Sequence, residues 1–191
     1  VAAVTEPVGE GRVDVVFRIA ESGRSKVRKI RFEGNEALKD GKLRSAMETE
    51  ATWLGYVFST GFLKEDVLHA DRARLAKVYA DAGYLDFSVE KIERRYSDNG
   101  EWVTLVLHLD EGQPYTVSGT TVHGNKRFGN EELRSLLTLS DGDRFSDAEE
   151  QKSARAIANR YHKEGHLDAR CVVDREKNPE ELTVALAYRI V

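Results

Sequence analysis

The strongest constraint on how this chain can fold is that much of it occurs twice. Val13 to Asn35 reads VDVVFRIAESGRSKVRKIRFEGN and Val103 to Asn125 reads VTLVLHLDEGQPYTVSGTTVHGN, equal in length without a gap and offset by 90 positions. Val13, Val16, Glu21, Val27, Gly34 and Asn35 return as Val103, Val106, Glu111, Val117, Gly124 and Asn125. Past the Gly-Asn pair, DGKLRSAM from Asp40 lines up with NEELRSLL from Asn130 at the same offset. Further on, KVYADAGYLDF (Lys77 to Phe87) lines up with NRYHKEGHLDA (Asn159 to Ala169) at an offset of 82, so the first copy carries an insertion between its two helices. Self-similarity of this kind marks each copy as one supersecondary unit and the chain as a tandem.

Each copy reads as β-α-α-β-β. Val27 to Phe32 and Val117 to Val122 alternate as strands and end in Gly-Asn, a pair suited to a turn because both residues tolerate positive φ. A first helix follows, with Asp40 or Asn130 as the expected N-cap and Leu43 and Met47, or Leu133, Leu136 and Leu137, on one face. In the second helix Leu68, Leu75, Val78 and Tyr79 share a face, as do Ile157 and Tyr161. Ser146 and Glu149 form a capping box, and Gly83 and Gly165 stand where a left-handed cap stops a helix. Phe87 to Tyr96 and Trp102 to Asp110 flank the hairpin signal Ser97-Asp98-Asn99-Gly100. The second copy repeats the pair as Ala169 to Asp174 and, after a turn at Asn178-Pro179, Leu182 to Ile190. Phe87 and Val89 share one parity and Ile92 takes the other, which predicts a β-bulge near Lys91.

The fold class expected is therefore α+β: two tandem β-α-α-β-β modules, each a three-stranded mixed sheet covered on one face by two antiparallel helices. The divisions expected are 1–23, 24–112 and 113–191. Val13, Val15, Phe17 and Ile19 repeat the last strand of a module, so 1–23 is read as a flexible N-terminus, frayed over 1–12, followed by the last strand of a preceding module. That orphan strand is expected to pair with an edge of its own or of a neighbouring chain. Pro114 stiffens the short connection Asp110 to Pro114, which predicts a restricted orientation between modules.

Chemistry is sparsely represented. A net charge of -4 disfavours nucleic acid and anionic lipid as general partners. The single Cys171 excludes an internal disulfide. No apolar run approaches the ~18 residues of a membrane-spanning helix. There is no Gly-rich phosphate loop, no cysteine with an evident histidine partner and no serine in a strand-turn-helix context, so no catalytic residue and no enzyme activity are expected. Asp86 and Asp168, in the recurring Leu-Asp pair, read as turn residues at a helix-to-strand corner. His162 and His166 have zinc-compatible spacing, but the helix is expected to end at Gly165 and no third ligand is evident, so no metal or cofactor is expected. A KH-like RNA-binding module would need a GxxG loop between its helices, and neither connection has one. The aromatic insertion Trp53, Tyr56, Phe58 and Phe62 is a candidate contact loop for a partner. Its expected behaviour, however, is to fold back over the helices of its own module.

With KIRFEGN at 29 to 35, Asp71-x3-Leu75-x3-Tyr79-x3-Gly83-Tyr84, and Glu111-Gly112 leading into the next Val-x-Gly-Asn, the chain resembles the POTRA repeats of the BamA family. The stretch TWLGYVFSTGFLKEDVL, ending at Leu68, is similar to the longer inter-helix loop of the third POTRA. The second copy departs from the pattern with Ser153 in place of Asp71 and His166 in place of Tyr84. The resemblance implies a periplasmic scaffold, anchored to the outer membrane only through an attached β-barrel. It implies as partners unfolded outer-membrane proteins, assembly-machine lipoproteins and neighbouring POTRA modules, with another multi-POTRA transporter as the alternative. It also implies recognition by β-augmentation, in which a strand edge supplies main-chain hydrogen bonds to an incoming strand. The second strand of each module is the edge so implied: Phe87, Val89, Lys91, Glu93 and Arg94 in the first, Ala169 to Asp174 in the second.

Overall fold

In the computed structural model, which describes the main chain of residues 2–7 and 13–18 and all of 25–51 and 62–191, the repeat becomes two similar units. An antiparallel pair, β1 (Ala2–Pro7) and β2 (Val13–Arg18), comes first. The first unit is β3 (Lys26–Glu33), α1 (Asp40–Ala46), α2 (Glu65–Asp81), β4 (Ser88–Tyr96) and β5 (Trp102–Asp110). The second is β6 (Thr116–His123), α3 (Asn130–Arg134), α4 (Asp147–His162), β7 (Cys171–Asn178) and β8 (Thr183–Ile190). The sheets run β3-β5-β4 and β6-β8-β7. In each, the last strand lies in the centre, parallel to the first and antiparallel to the second, as the mixed-sheet reading requires.

The strict alternation of β5 explains its central place. Val103, Leu105, Leu107 and Leu109 bury one face against Leu43, Leu68, Leu75 and Tyr79 of the helices, each large aliphatic side chain contributing about 1.5–3 kcal/mol when fully buried. The second core repeats this with Val184, Leu186 and Tyr188 against Leu133, Ile157 and Tyr161. Both first strands slip register at the same point of the repeat, between Val27 and Lys29 and between Val117 and Gly119. The bulge read from parity lies between Val89 and Lys91, while β7 has no register shift.

Several local expectations are corrected. Of the Gly-Asn pair only the glycine is left-handed, with φ +91 at Gly34 and +77 at Gly124. A side chain there would meet the Leu109 or Ile190 carbonyl of the central strand. The asparagines act through their amides: Asn35 Nδ2 donates to the Leu38 carbonyl and Asp40 Oδ1, and Asn125 Nδ2 to the Phe128 carbonyl and Asn130 Oδ1. Asp40 and Asn130 are accordingly first helical residues, their side-chain oxygens already taken, and the N-caps are Lys39 and Gly129. Ser146 does cap α4 by accepting from the Glu149 amide, whereas the Glu149 carboxylate is drawn to Lys152. Residues 2–7, read as frayed, form β1 and supply β2 with its partner from the same chain. A strand with no apolar alternation leaves no periodic trace, and a main-chain ladder requires none.

Candidate functional site

Each sheet has two outer strands, and they differ in how much of their edge is already used. Along β3, Phe62 bridges Lys26, the Leu63 amide donates to the Ser25 carbonyl (2.9 Å), and Arg44 Nη2 from α1 donates to the Ile30 carbonyl (3.2 Å). Along β6, Arg144 bridges Thr116, the Val117 amide donates to the Asp143 carbonyl (2.8 Å), and Arg134 Nη2 from α3 donates to the Thr120 carbonyl (3.3 Å). The inter-helix connection and an arginine of the first helix thus cover the first strand in both units. Among the described residues no strand pairs with the outer side of β4 or β7.

The candidate residues on β4 divide by direction. Phe87 lies just before the strand and stacks on Tyr79 with centroids 4.0 Å apart, so together with Val89 it belongs to the core margin. Lys91 sits beside the bulge and is exposed. Arg94 turns back to the helix layer, where its guanidinium holds Glu65 at 2.6 and 3.1 Å. Glu93 is on the opposite face, bound by Arg95 at 2.8 and 3.0 Å. That guanidinium pulls the Glu93 carboxyl down to about 2. Glu93, Arg94 and Arg95 are therefore matched within the strand and its own module, and charged side chains are a usual protection of a sheet edge. On β7, Arg175 faces α4 and binds Glu150 and Asp147, Lys177 reaches the first unit, and Val172 is exposed. The observed strand, Cys171–Asn178, extends past the Asp174 at which the sequence reading stopped.

Of the aromatic insertion, Trp53, Tyr56 and Phe58 lie outside the described residues. Phe62 is half-buried at the outer side of β3, where it bridges Lys26, with Lys26 Nζ 5.7 Å from its ring. The two histidines point to different partners: His162 Nε2 lies 2.9 Å from the Ala169 carbonyl and the His166 ring packs on Tyr161. Among the described residues no three His, Cys, Asp or Glu side chains gather as metal ligands do, and no helix is long and apolar enough to cross a membrane.

Sequence reasoning missed the junction between the units. Asp86, read as a turn residue, accepts from the Tyr115 hydroxyl (2.5 Å) and from Lys177 Nζ (2.7 Å) of the second unit. The bonds from Lys177 and Tyr115 hold its carboxyl below the usual range, and Asp86 in turn pushes the Tyr115 hydroxyl up to about 12. The Ala82 carbonyl accepts from Arg144 Nε (2.7 Å), the Gly83 carbonyl from the Tyr115 amide (2.8 Å), and Leu85 packs against the second core. Lys77 of α2 binds Asp147 of α4 at 3.0 Å. These bonds join the two units beside the short connection that contains Pro114. The one signal for it was the recurrence of Leu-Asp, which a turn role explained equally well.

The fold is thus a pair of β-α-α-β-β modules, each with one covered outer strand and one on which, among the described residues, no further strand pairs. A family model described as POTRA, "Surface antigen variable number repeat", matches residues 25–112 and again 115–191. The chain belongs to that family. It is 29% identical over 186 residues to a "Putative outer membrane protein assembly factor" of Treponema pallidum (strain Nichols), which covers 95% of this chain and 22% of that protein. It is 26% identical over 187 residues to "Outer membrane protein assembly factor BamA" of Neorickettsia risticii (strain Illinois), covering 97% of this chain and 25% of that one. The chain thus spans only 22% to 25% of the length of these relatives. Its fold matches a crystal structure of Haemophilus influenzae BamA POTRA3-5 with a TM-score of 0.66 at 20% identity, over 90% of this chain and 67% of that one.

Proposed function

We propose that this chain is the periplasmic, non-catalytic scaffold of an outer-membrane protein assembly factor. In this reading it takes up unfolded β-barrel clients and accessory lipoproteins by adding their strands to the open edges β4 and β7. The observation that carries the reading is the asymmetry of the two edges in each module. The first strand is already covered by the inter-helix connection and by Arg44 or Arg134, while the second is guarded only by a bulge or by paired charges. Main-chain pairing along such an edge tolerates many client sequences, which suits a scaffold serving many barrels. The likeness to proteins named as outer membrane protein assembly factors supports the same compartment and role.

The test is amide exchange of the chain with and without a peptide that has the alternating apolar pattern of a barrel strand. Slower exchange at residues 88–96, with β3 unchanged, is expected. Protection confined to β3, or none at saturating peptide, would sink the edge-strand reading. A second arm is Lys91→Pro, which removes a main-chain donor beside the existing register break and should weaken peptide binding while circular dichroism stays unchanged.

A further inference from the structure

The first module carries a group of cations that its own fold does not use. Ile30 and Phe32 of β3 are buried, so by alternation Lys29 and Arg31 stand on the sheet face away from the helices, beside the neutral Thr104 and Val106 of β5. Arg28 sits at the register slip. Among the described residues none of these three side chains pairs with a carboxylate. The acids of the same face are engaged elsewhere: Glu33 lies 3.3 Å from His108 Nδ1, and Glu93 is held by Arg95. Lys29 and Arg31, two strand positions and so about 7 Å apart, repel each other unless an anion sits between them.

These cations border an open groove of about 1460 Å³ between β3, α1 and residues 47–51. Arg28, Lys29, Arg31 and Arg44 line it, Glu50 is the one carboxylate among its described lining residues, and Trp102 and Met47 add apolar wall. Arg44 commits only Nη2, to the Ile30 carbonyl (3.2 Å) and, more loosely, to Asp40 (3.7 Å). The second module builds the same strand, with the same slip, from Ser118, Gly119 and Thr121, and Thr183 takes the register place of Trp102. The fold therefore does not require the charges. Nor does protection of the edge require them, since β6 without them is covered by Arg134 and Arg144 just as β3 is by Arg44 and Phe62.

We infer that this groove is a docking site for an acidic, extended peptide segment of a partner protein. Carboxylates two residues apart on such a segment recur at about 7 Å and so match Lys29 and Arg31, while Arg28, Arg44 and the Trp102 ring supply the flanking contacts. The groove exceeds the roughly 300–1,000 Å³ of small-molecule sites, which suits a length of chain. An anionic bilayer is the poorer fit. Its surface does not enter a groove, and the exposed large apolar side chains Tyr96, Leu167, Val172 and Val191 all lie outside this one. The contacts are made by side chains, because the Ser25 and Ile30 carbonyls of β3 are already taken. The inference is thus separate from strand addition at β4 and β7 and survives its failure.

Fluorescence anisotropy of residues 1–191 with the labelled peptide Gly-Glu-Leu-Glu-Leu-Glu-Gly tests it at low salt. Binding should weaken about tenfold when glutamine replaces the three glutamates, and about tenfold in the double variant Lys29→Glu, Arg31→Glu. The double variant Lys126→Glu, Lys163→Glu makes the same change of net charge at exposed positions away from the groove and should alter binding less than about twofold. Equal affinity for the glutamine peptide, or equal losses in the two double variants, overturns the docking site. Should the β3 variant fail to fold, NMR titration of the unaltered protein decides. The 28–31 amides and the Trp102 indole should shift with the peptide and the 118–121 amides should not, and shifts confined to other residues overturn the site. Shifts at 28–31 with phosphatidylglycerol vesicles and none with the peptide overturn the peptide as occupant in favour of a membrane.

Discussion

In the first module Asp71, fully buried on α2, accepts from the Glu48 (2.8 Å) and Thr49 (3.0 Å) amides and from Arg74 (3.0 Å). At the aligned place on α4 the second module has Ser153, whose hydroxyl accepts from the Thr138 amide (2.9 Å) and donates to the Glu149 carbonyl (3.0 Å). Both side chains fasten the end of the first helix to the second helix. The chain turns away after the short first helices, α1 and α3, and the amides just past their C-terminal ends need an acceptor. A carboxylate does this with three donors and must keep them all, because an unpaired buried charge is expensive. A hydroxyl does it with one donor and one acceptor and risks less. The joint is thus set by topology, and its chemistry by the residues that surround it.

The largest expected effect comes from breaking that difference. Asp71→Ala should cost about 3 kcal/mol, since it strands the Glu48 and Thr49 amides and leaves Arg74 only Glu48, whereas Ser153→Ala should cost about 1 kcal/mol. Urea unfolding followed by circular dichroism measures both, and Trp53 and Trp102 fluorescence reports the first module. Equal losses would show that the charge adds nothing.

The corner glycines are next. Gly83 and Gly165 have φ of +94 and +90, so alanine at either carries backbone strain of about 1 kcal/mol. Gly83→Ala should cost roughly 1 kcal/mol more, because the added methyl also crowds Arg144 and Phe145. Equal penalties would mean that the junction yields freely.

Acidification sharpens the contrast. Burial raises the Glu111 carboxyl, but the Ala37 amide, the Tyr79 hydroxyl and the Glu36 amide outweigh it, so its folded value lies below the ordinary one. Such a group stabilises fully above its unfolded value of about 4.3, and the contribution is lost as pH falls through the lower folded value. Asp86, lowered by Lys177 and Tyr115, behaves in the same sense. So does Asp147, where Arg175 and Lys77 overcome an opposing burial effect. Thermal unfolding between pH 5 and pH 3 should therefore show the first module losing stability more steeply than its Glu111→Gln variant does. A variant with the same pH slope would remove Glu111 from the account.

The smallest effect expected is from Lys177→Ala, which removes one half of a partly exposed bridge to Asp86 and should change stability by less than about 1 kcal/mol. Its readout is the spread of distances between spin labels placed on the two modules, which should widen slightly. Asp86→Ala, which also frees the Tyr115 hydroxyl, should widen it more.

How much of this was legible depended on whether a residue's work is local. The alternation of β5, the apolar stripe of α2, the Ser146 cap and the bulge near Lys91 follow from periods and dihedral preferences acting within a few residues, and all are present. The strand β1 was not legible, because a main-chain ladder requires no side-chain pattern. The N-cap role given to Asp40 failed since Asn35, five positions earlier, claims its carboxylate.

The repeat by itself determined the tandem, the order of elements in each module and the inward-facing residues, because hydrophobic periodicity is written in the chain and each copy checks the other. Only the tertiary structure decided which strand edge is covered and how Asp86 bridges Tyr115 and Lys177. Those depend on side chains 29 and 91 residues from Asp86 along the chain meeting at one carboxylate. Such meetings follow from how two finished modules pack, a choice for which no short-range pattern codes.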